Sequence, residues 1–96
     1  MRVRLRPEAH EDLRDAAEWY ETKRPGLGSE FLDEMLRTIS AASNAPGLYA
    51  RVYGEIRRAP THRFPFGVFY VVDEEDLVIL AVMHGSRDPS RWKRRT

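Results

Sequence analysis

Cysteine is absent from all 96 residues of this chain. Disulfide bonds, thiolate zinc sites and cysteine nucleophiles are therefore excluded, and with them the cross-links that stabilise many small secreted domains. Long apolar runs are absent too, because no segment approaches the ~20 residues that a membrane-spanning helix requires. The first residues carry charge without the apolar segment of a secretion signal. Together these absences predict a cytoplasmic protein with no membrane segment.

Several sequence motifs of enzymes are also missing. The segment Gly26-Leu27-Gly28 is too short to be a phosphate-binding glycine loop, and neither a serine hydrolase elbow nor a paired-carboxylate site is present. His10 and His62 are isolated from other ligand types, and no spacing resembles a zinc site. We therefore expect neither a cofactor nor a metal ion.

The residues that are present describe an ordinary globular chain. Hydrophobic residues make up 42% of the sequence and charged residues 32%, which is typical of a folded domain and not of a disordered one. A chain of this length has one core and buries about 60 to 65% of the surface that its unfolded form exposes. We expect one domain that spans residues 1–96.

The net charge of +1 conceals an uneven distribution of charged residues. Residues 1–50 carry seven Lys and Arg against nine Asp and Glu, whereas residues 51–96 carry nine against six. Four of those six acidic residues form the run at 73–76. The rest of the second half is strongly basic. This indicates either a cationic face for phosphate or for an acidic partner, or a solubilising surface.

The first half of the chain predicts a strand and two helices. Residues 2–6 alternate between arginine and apolar side chains with the period of a half-buried strand. Pro7 suits the first position of a helix, which the Pro-Gly turn at 25–28 ends. Ser29 offers a cap for a second helix that ends near Asn44. Because the turn between them is short, the two helices must pack antiparallel.

The second half of the chain predicts three strands. They cover residues 52–59, with Gly54 as a bulge or bend, residues 64–72 and the apolar run 77–83. The acidic residues 73–76 would form a hairpin loop, because four carboxylates are not buried together. The resulting order β-α-α-β-β-β predicts an α+β fold. In this fold a helical hairpin packs on one face of a mostly antiparallel four-stranded sheet, and a short C-terminal tail follows.

Basic side chains gather at the predicted strand ends and in the tail. Guanidinium groups bind phosphates in a bidentate manner and stay charged at any working pH, so a cluster of them can hold RNA or stabilise a phosphate during RNA cleavage. Adjacent strand residues point to opposite faces, so at most one of Arg57 and Arg58 joins a given cluster. The candidates are Arg57, Arg58, Arg63, Arg87, Arg91, Lys93, Arg94 and Arg95.

One histidine and two tryptophans each allow two interpretations. His84 follows the last strand, where an imidazole can act as a general acid or base or can make a structural hydrogen bond. Trp19 flanks the apolar stripe of the first helix and is a candidate for contact with a partner, although it can equally belong to the core. Trp92 either packs on the sheet or, among basic neighbours, stacks on a base or anchors a target.

The order of these features resembles the RelE/ParE superfamily of bacterial toxins along almost the whole chain. The motifs that carry the likeness in the helical hairpin are Trp19-Tyr20, Arg24-Pro25-Gly26-Leu27-Gly28 and Phe31-Leu32. Those in the sheet and tail are Ile56-Arg57-Arg58, Arg63-Phe64-Pro65-Phe66, Tyr70, His84-Gly85-Ser86-Arg87-Asp88-Pro89 and Trp92. No single motif is decisive, but their order and spacing together are specific.

The resemblance implies the toxin of a type II toxin–antitoxin module, which arrests growth until a cognate antitoxin binds it. Such antitoxins carry a DNA-binding head of the ribbon-helix-helix kind or a similar one, lay a helix along the toxin's hairpin and add a strand to its sheet. On this basis we assign antitoxin contacts to Trp19, Arg57 and Arg63. Contacts with the toxin's target are assigned to Arg87, Arg91, Trp92, Lys93, Arg94 and Arg95.

Two branches of the superfamily differ in their target. Members similar to RelE cleave messenger RNA on the ribosome, whereas members similar to ParE are associated with inhibition of DNA gyrase. Gly67 lies where the nucleases place a catalytic arginine, and the loss of one such cation removes about 3 kcal/mol of transition-state stabilisation. The chain therefore resembles the ParE branch more closely. This implies a gyrase inhibitor that is not an enzyme, with a ParD-like antitoxin as its partner.

Two alternatives to this hypothesis stay open. A ribosome-dependent mRNA endoribonuclease would use Arg58, His84 and Arg87, of which the two arginines match basic residues of the nuclease site. The terminal tyrosine or histidine of the nuclease tail has no clear counterpart here, although Trp92 and Lys93 stand nearby. A degenerate toxin would keep only the ability to bind its antitoxin.

Overall fold

The structure is a computed structural model that describes residues 1–85 and 89–95. The strands of this part of the chain are β1 (Arg2–Leu5), β2 (Arg51–Tyr53), β3 (Ile56–Pro60), β4 (Phe66–Asp73) and β5 (Asp76–His84). The helices are α1 (Pro7–Lys23), α2 (Leu27–Asn44) and the short α3 (Ser90–Lys93), with a 3-10 turn at Pro46–Leu48. Within the described residues, no helix is long and apolar enough to cross a membrane.

The five described strands form one sheet in the order β1-β5-β4-β3-β2. β1 runs parallel to β5, and the other neighbours are antiparallel. This confirms the predicted α+β fold, but the predicted count of four strands is wrong. The segment 52–59, predicted as one strand, reverses direction at Gly54-Glu55, where Gly54 has a left-handed φ of 55° that favours glycine. A tight hairpin between two strands therefore replaces the single strand that was predicted with a bulge or bend at Gly54.

The helical hairpin of α1 and α2 covers one face of the sheet and makes the larger core. Alternate residues of β4 and β5 point into this core, because the side chains of a strand alternate between its faces. The buried Tyr70 donates a hydrogen bond from its hydroxyl to Pro46 O at 2.6 Å, and burial raises the pKa of that hydroxyl. The core consists of Ala9, Leu13, Ala17, Phe31, Met35, Ile39, Ala42, Ala59, Phe64, Val68, Tyr70, Leu77, Ile79 and Val82.

The short helix α3 packs on the other face of the sheet. Trp92 of α3 is 6% exposed and stacks on Phe69, with 4.6 Å between the ring centroids. Of the two interpretations of Trp92, packing on the sheet is the one that the structure shows. This second cluster consists of Ile56, Phe69, Val78, Leu80, Ala81, Met83 and Trp92. β5 is therefore covered on both faces, as expected for a central strand.

A carboxylate, not a hydroxyl, holds the start of α2. We expected Ser29 to cap this helix, but the helix begins earlier, at Leu27. The residue at its N-cap position is Gly26, which has no side chain to cap the first turn. Glu21 of α1 instead accepts hydrogen bonds from the backbone N–H groups of Gly26 and Gly28, at 2.9 and 3.0 Å. These bonds hold the pKa of the Glu21 carboxyl below its ordinary value. Glu21 thus replaces the predicted cap and joins the two helices.

The acidic residues 73–76 form the predicted turn between β4 and β5. Asp73 and Asp76 face each other as the last pair of that ladder. Arg2 and Arg4 of β1 both bind the Asp76 carboxylate, with N–O distances of 2.9 and 2.8 Å. The hydrogen bond from Arg2 is the main cause that lowers the pKa of Asp76. β1 thus neutralises part of the acidic run as well as extending the sheet.

One carboxylate is buried between α2 and the loop before β4. Glu34 is 6% exposed, and its Oε2 atom accepts hydrogen bonds from the backbone N–H groups of His62 and Arg63, both at 2.7 Å. Burial alone would raise the pKa of Glu34, but the N–H groups of residues 62–64 outweigh burial and hold that pKa below its ordinary value. The ionised carboxylate therefore fastens this loop to α2.

Replacing Glu34 with glutamine should lower the free energy of unfolding by about 2 kcal/mol, because a neutral amide oxygen accepts these bonds less strongly. A lowered folded-state pKa adds stability above the ordinary pKa of about 4.3, and this stability is lost as the pH falls through the folded-state value. The acid side of the stability profile should therefore be shallower in Glu34→Gln. Urea unfolding between about pH 7 and about pH 3 measures this slope.

The matched control for this change is Asp33→Asn, which removes a charge from an exposed neighbour on the same helix. It should leave the acid slope close to that of the wild type, because within residues 1–85 and 89–95 no buried backbone group is hydrogen-bonded to Asp33. An acid slope of Glu34→Gln equal to the wild-type slope would contradict the role assigned to Glu34.

Candidate functional site

The C-terminal tail lies on the sheet face opposite the helical hairpin, and its central residue is buried. Trp92 stacks on Phe69 and also meets the edge of Tyr53, whose ring centroid is 6.5 Å away. The Nζ atom of Lys93 lies 4.4 Å from the centroid of the Tyr53 ring, close enough for a cation–π interaction. The buried indole of Trp92 leaves almost no surface for a target, so its contribution is to hold the tail on the sheet.

The arginines of the tail differ in how they are held. Arg91 is exposed in α3. Arg94 is also exposed, and its Nε atom donates a hydrogen bond to Ser90 O at 3.1 Å. Arg87, which belongs to the motif at 84–89, lies outside the described residues. Arg91 and Arg94 therefore present their charge to solvent, as the predicted target contact requires.

Arg95 is held inside the protein by an ion pair with Asp12 of α1. Its Nη1 atom lies 2.6 Å from Asp12 Oδ2, and each of the two side chains is only 17% exposed. The same Nη1 atom donates a hydrogen bond to Leu80 O at 3.2 Å. The backbone N–H of Val82 donates to Asp12 Oδ2 at 3.0 Å. Arg95 is thus bound to this chain itself, whereas the sequence predicted it as a contact of the target.

The ion pair contacts β5 where the regular pairing of this strand changes. The register against β4 skips Leu80, which is the extra residue of a β-bulge. β1 pairs with β5 only as far as Ile79. Beyond that point Asp12 accepts from the strand and Arg95 donates to it, as a neighbouring strand would do. The ion pair therefore closes the edge of β5 that β1 leaves open.

Arg57 and Arg58 point to opposite faces of β3, as predicted. Arg57 lies on the hairpin side and donates a hydrogen bond from Nη1 to Tyr49 O at 2.6 Å. Arg58 lies on the tail side, with its guanidinium carbon 5.9 Å from the centroid of the Phe69 ring. Its side chain occupies the space above Gly67, where a methyl group would overlap the Nε atom. Gly67, which stands where the related nucleases have an arginine, thus leaves the space that the Arg58 side chain occupies.

His84 lies on the other face of the sheet from Arg58. Phe66 and His84 face each other across β4 and β5, so their side chains share a face. The two rings meet edge to face at 5.6 Å, and Phe66 packs against the core under the helical hairpin. The structure therefore separates Arg58 from His84, two of the three residues that an RNA-cleaving site would use. In the described part of the chain, no group of three or more His, Asp or Glu side chains could hold a metal ion.

The three residues assigned to antitoxin contact differ in their availability. Trp19 is 56% exposed on α1, and Lys23 Nζ lies 4.6 Å from the centroid of its ring. Arg63 Nη2 pairs with Glu30 Oε1 at 2.6 Å and so links the loop before β4 to α2. Arg57 is bonded to a backbone carbonyl, as described above. Trp19 is therefore the member of this set that offers a large apolar surface to a partner.

Trp19 also forms one wall of a groove between α1 and the end of β5. Its lining includes the aromatic rings of Tyr20 and Phe66 and the Asp12 side chain. Arg91 of α3 also lines this groove. The groove thus brings a predicted antitoxin residue and a predicted target residue to one surface.

Sequence reasoning missed Asp12 and Glu34, which hold the tail and the loop before β4. Both are acidic residues on helices, where exposed charges are common. Asp12 precedes Leu13 of the buried stripe of α1, and Glu34 precedes Met35 of the buried stripe of α2. A carboxylate beside a buried stripe is the signal that could have found them. It does not reveal a partner such as Arg95, which is 83 residues away.

Comparison with known proteins shows the class to which this fold belongs. A solved structure described as the chromosomal ParDE TA system from P. aeruginosa is similar, with a TM-score of 0.78. The sequence identity is 16%, and the match covers 88% of this chain and 95% of that chain. At this identity the likeness concerns the fold. No curated protein matches the sequence.

A model of the sequences of one toxin family identifies the family of this chain. This model, described as the ParE toxin of the type II toxin-antitoxin system parDE, matches residues 3–89. The match extends over the helical hairpin and nearly all of the sheet. The chain therefore belongs to the ParE toxin family of type II toxin–antitoxin systems. Both the predicted superfamily and the predicted role as a type II toxin are confirmed, and a cognate antitoxin is the partner that this role implies.

The ion pair between Asp12 and Arg95 should couple the tail to the rest of the fold. Asp12→Ala and Arg95→Ala should each lower the free energy of unfolding by about 2 kcal/mol, because each leaves a half-buried charge without its partner. The double variant should lose less than the sum, with a coupling energy of about 1 kcal/mol. Urea unfolding followed by tryptophan fluorescence gives all three values.

Arg94→Ala removes an exposed arginine next to Arg95 and serves as the control for this cycle. It should change the free energy of unfolding by no more than about 0.5 kcal/mol. Strict additivity of Asp12→Ala and Arg95→Ala would mean that the two side chains do not act as a pair.

Proposed function

We propose that this chain inhibits DNA gyrase, as a ParE-type toxin, and does not cleave RNA. The observation that carries the proposal is the position of Arg58 and His84 on opposite faces of the sheet. A cation that binds phosphate and a general acid or base must both reach one scissile bond. Gly67 adds no cation to either face. Binding to a protein target does not require such a set of groups, so the geometry favours binding over cleavage.

The proposed contact with gyrase is the tail and the sheet face beneath it. Arg91 and Arg94 are exposed there, and Arg87 of the same segment is proposed as a further contact. Trp92 and Arg95 hold this segment in place, the first through the Phe69 ring and the second through its ion pair. The residues assigned to the target thus divide into those that present charge and those that position the segment.

We also propose that the antitoxin is ParD-like, with a ribbon-helix-helix head, and that it covers the outer surface of the helical hairpin. Trp19 of α1 and Leu36 of α2 are large apolar side chains that are more than half exposed. Leu32, one helical turn before Leu36, is also exposed. Exposed apolar residues on neighbouring helices form the kind of groove that accepts a partner helix.

The gyrase proposal is tested with purified protein and relaxed plasmid. Gyrase should lose supercoiling activity as the toxin concentration rises, and messenger RNA should stay intact after induction of the gene. The double variant Arg91→Ala/Arg94→Ala should need about 10-fold more protein for the same inhibition, because it removes two exposed cations of the contact. Unimpaired supercoiling together with codon-phased cuts in messages would overturn the proposal.

The antitoxin proposal is tested by the affinity of Trp19→Ala for the antitoxin, measured by calorimetry. Loss of a buried aromatic contact should weaken binding by about 2 kcal/mol, or about 30-fold, while inhibition of gyrase stays unchanged. Val72→Ala is the control, because Val72 is an exposed apolar residue at the far end of β4. Wild-type affinity in Trp19→Ala would place the antitoxin on another surface.

A further inference from the structure

Three arginines of the described residues are half-buried, and one of them lacks an oxygen partner. Arg57 donates to a backbone carbonyl, and Arg95 pairs with a carboxylate. Within the part of the chain that the structure describes, Arg58 has neither kind of partner, and its guanidinium lies against the Phe69 ring. Arg58 therefore differs from the other two half-buried arginines in lacking an oxygen acceptor.

A half-buried cation without an acceptor destabilises a fold, because it loses water and gains no oxygen in exchange. Among the described residues, no side-chain nitrogen is both fully buried and without a hydrogen-bond partner. The guanidinium of Arg58 therefore still reaches solvent. It is open to an acceptor that comes from another molecule.

Two glycines shape the slot in which Arg58 lies. A methyl group on Gly67 would overlap the Nε atom of Arg58 and would lie 2.9 Å from its Cζ atom. A methyl group on Gly85 would lie 3.6 Å from the Nη2 atom. Glycine weakens the interior of a strand and often marks a place where another group comes close. Here the close group is Arg58, which Gly67 allows to lie flat against the sheet.

Among the described arginines of β2, β3 and the loop before β4, Arg58 is the one that presents an unpaired charge on the tail side, whereas the exposed Arg91 and Arg94 belong to the tail. Arg57 points to the other face of β3. Arg51 and Arg63 are paired with glutamates, at 3.5 and 2.6 Å. A nucleic-acid backbone is bound by several cations in succession. Within the slot itself a single guanidinium matches a single carboxylate, which it binds through two parallel hydrogen bonds.

We propose that Arg58 binds one carboxylate of gyrase, from an Asp or Glu side chain at the surface that meets the toxin. This inference rests on the gyrase function proposed above. The slot lies on the tail side of the sheet, away from the helical hairpin that we assign to the antitoxin. Phe69, which Arg58 faces, is also the ring on which Trp92 stacks. The slot and the tail are therefore parts of one surface.

The test is the affinity of purified toxin variants for gyrase. Arg58→Ala should bind about 10- to 100-fold more weakly, the loss expected when the hydrogen bonds to one charged partner are removed. Arg58→Lys should fall between Arg58→Ala and the wild type, because an ammonium group loses the bidentate geometry. Arg37→Ala, which removes an exposed arginine of α2, is the matched control and should bind like the wild type. Thermal unfolding shows beforehand that each variant is folded.

A second variant tests the slot and leaves the charge in place. Gly67→Ala should weaken gyrase binding by about 10-fold, because its methyl group displaces the Arg58 side chain. Gly47→Ala is the control, since no atom lies within 4 Å of a methyl group at that position. Equal affinities of these two variants would show that the position of the guanidinium has no effect on binding.

Growth arrest on expression separates this inference from the gyrase function. If the wild type arrests growth and binds gyrase, and Arg58→Ala does both equally well, the carboxylate site is wrong and the gyrase function stands. If the wild type arrests growth without binding gyrase, the gyrase function and a gyrase carboxylate are both wrong. If the wild type cleaves messenger RNA and Arg58→Ala does not, the ligand of Arg58 is a phosphate and not a carboxylate. A wild type that neither arrests growth nor binds gyrase would overturn both proposals.

Discussion

The burial of β5 on both faces is the constraint on which the rest of the structure depends. Its residues 77–83 are all buried. A strand that is apolar throughout must be covered from both sides, and here the helical hairpin covers one side and α3 the other. The tail is therefore part of the folding unit. The exposed basic side chains of the tail have a defined position because Trp92 packs against the sheet.

Carboxylates accept hydrogen bonds from backbone N–H groups at the points where regular backbone pairing ends. Glu21 does so at the start of α2, Glu34 at the loop before β4, and Asp12 at the open edge of β5. All three lie in the acidic half of the sequence. Part of the basic excess of the second half is balanced by this half, as in the pairs that Arg63 and Arg95 make. Basic residues of the second half of the sequence thus form ion pairs with acidic residues of the first half.

Periodicity predicted the helices, the order of the elements and the opposite directions of adjacent arginines, because these depend on local geometry. Gly54 was predicted as a bulge or bend within one strand, since one glycine suits such an irregularity as well as a hairpin turn, and only the pairing of β2 with β3 distinguishes them. The ion pair of Arg95 could not be predicted, because its partner is remote in sequence. Gly67 was interpreted as a missing charge, whereas the folded chain shows that it is also a space for Arg58.

The parallel pairing of β1 with β5 has a consequence for synthesis of the toxin. Leu5, at the end of β1, lies opposite Ile79 of β5, which is synthesised much later. Arg6 also donates a hydrogen bond to Arg95 O at 3.0 Å. The sheet therefore cannot be completed before β5 has been synthesised, because contacts this remote in sequence form late. Until then β1 and the helical hairpin lack the strand against which they pack.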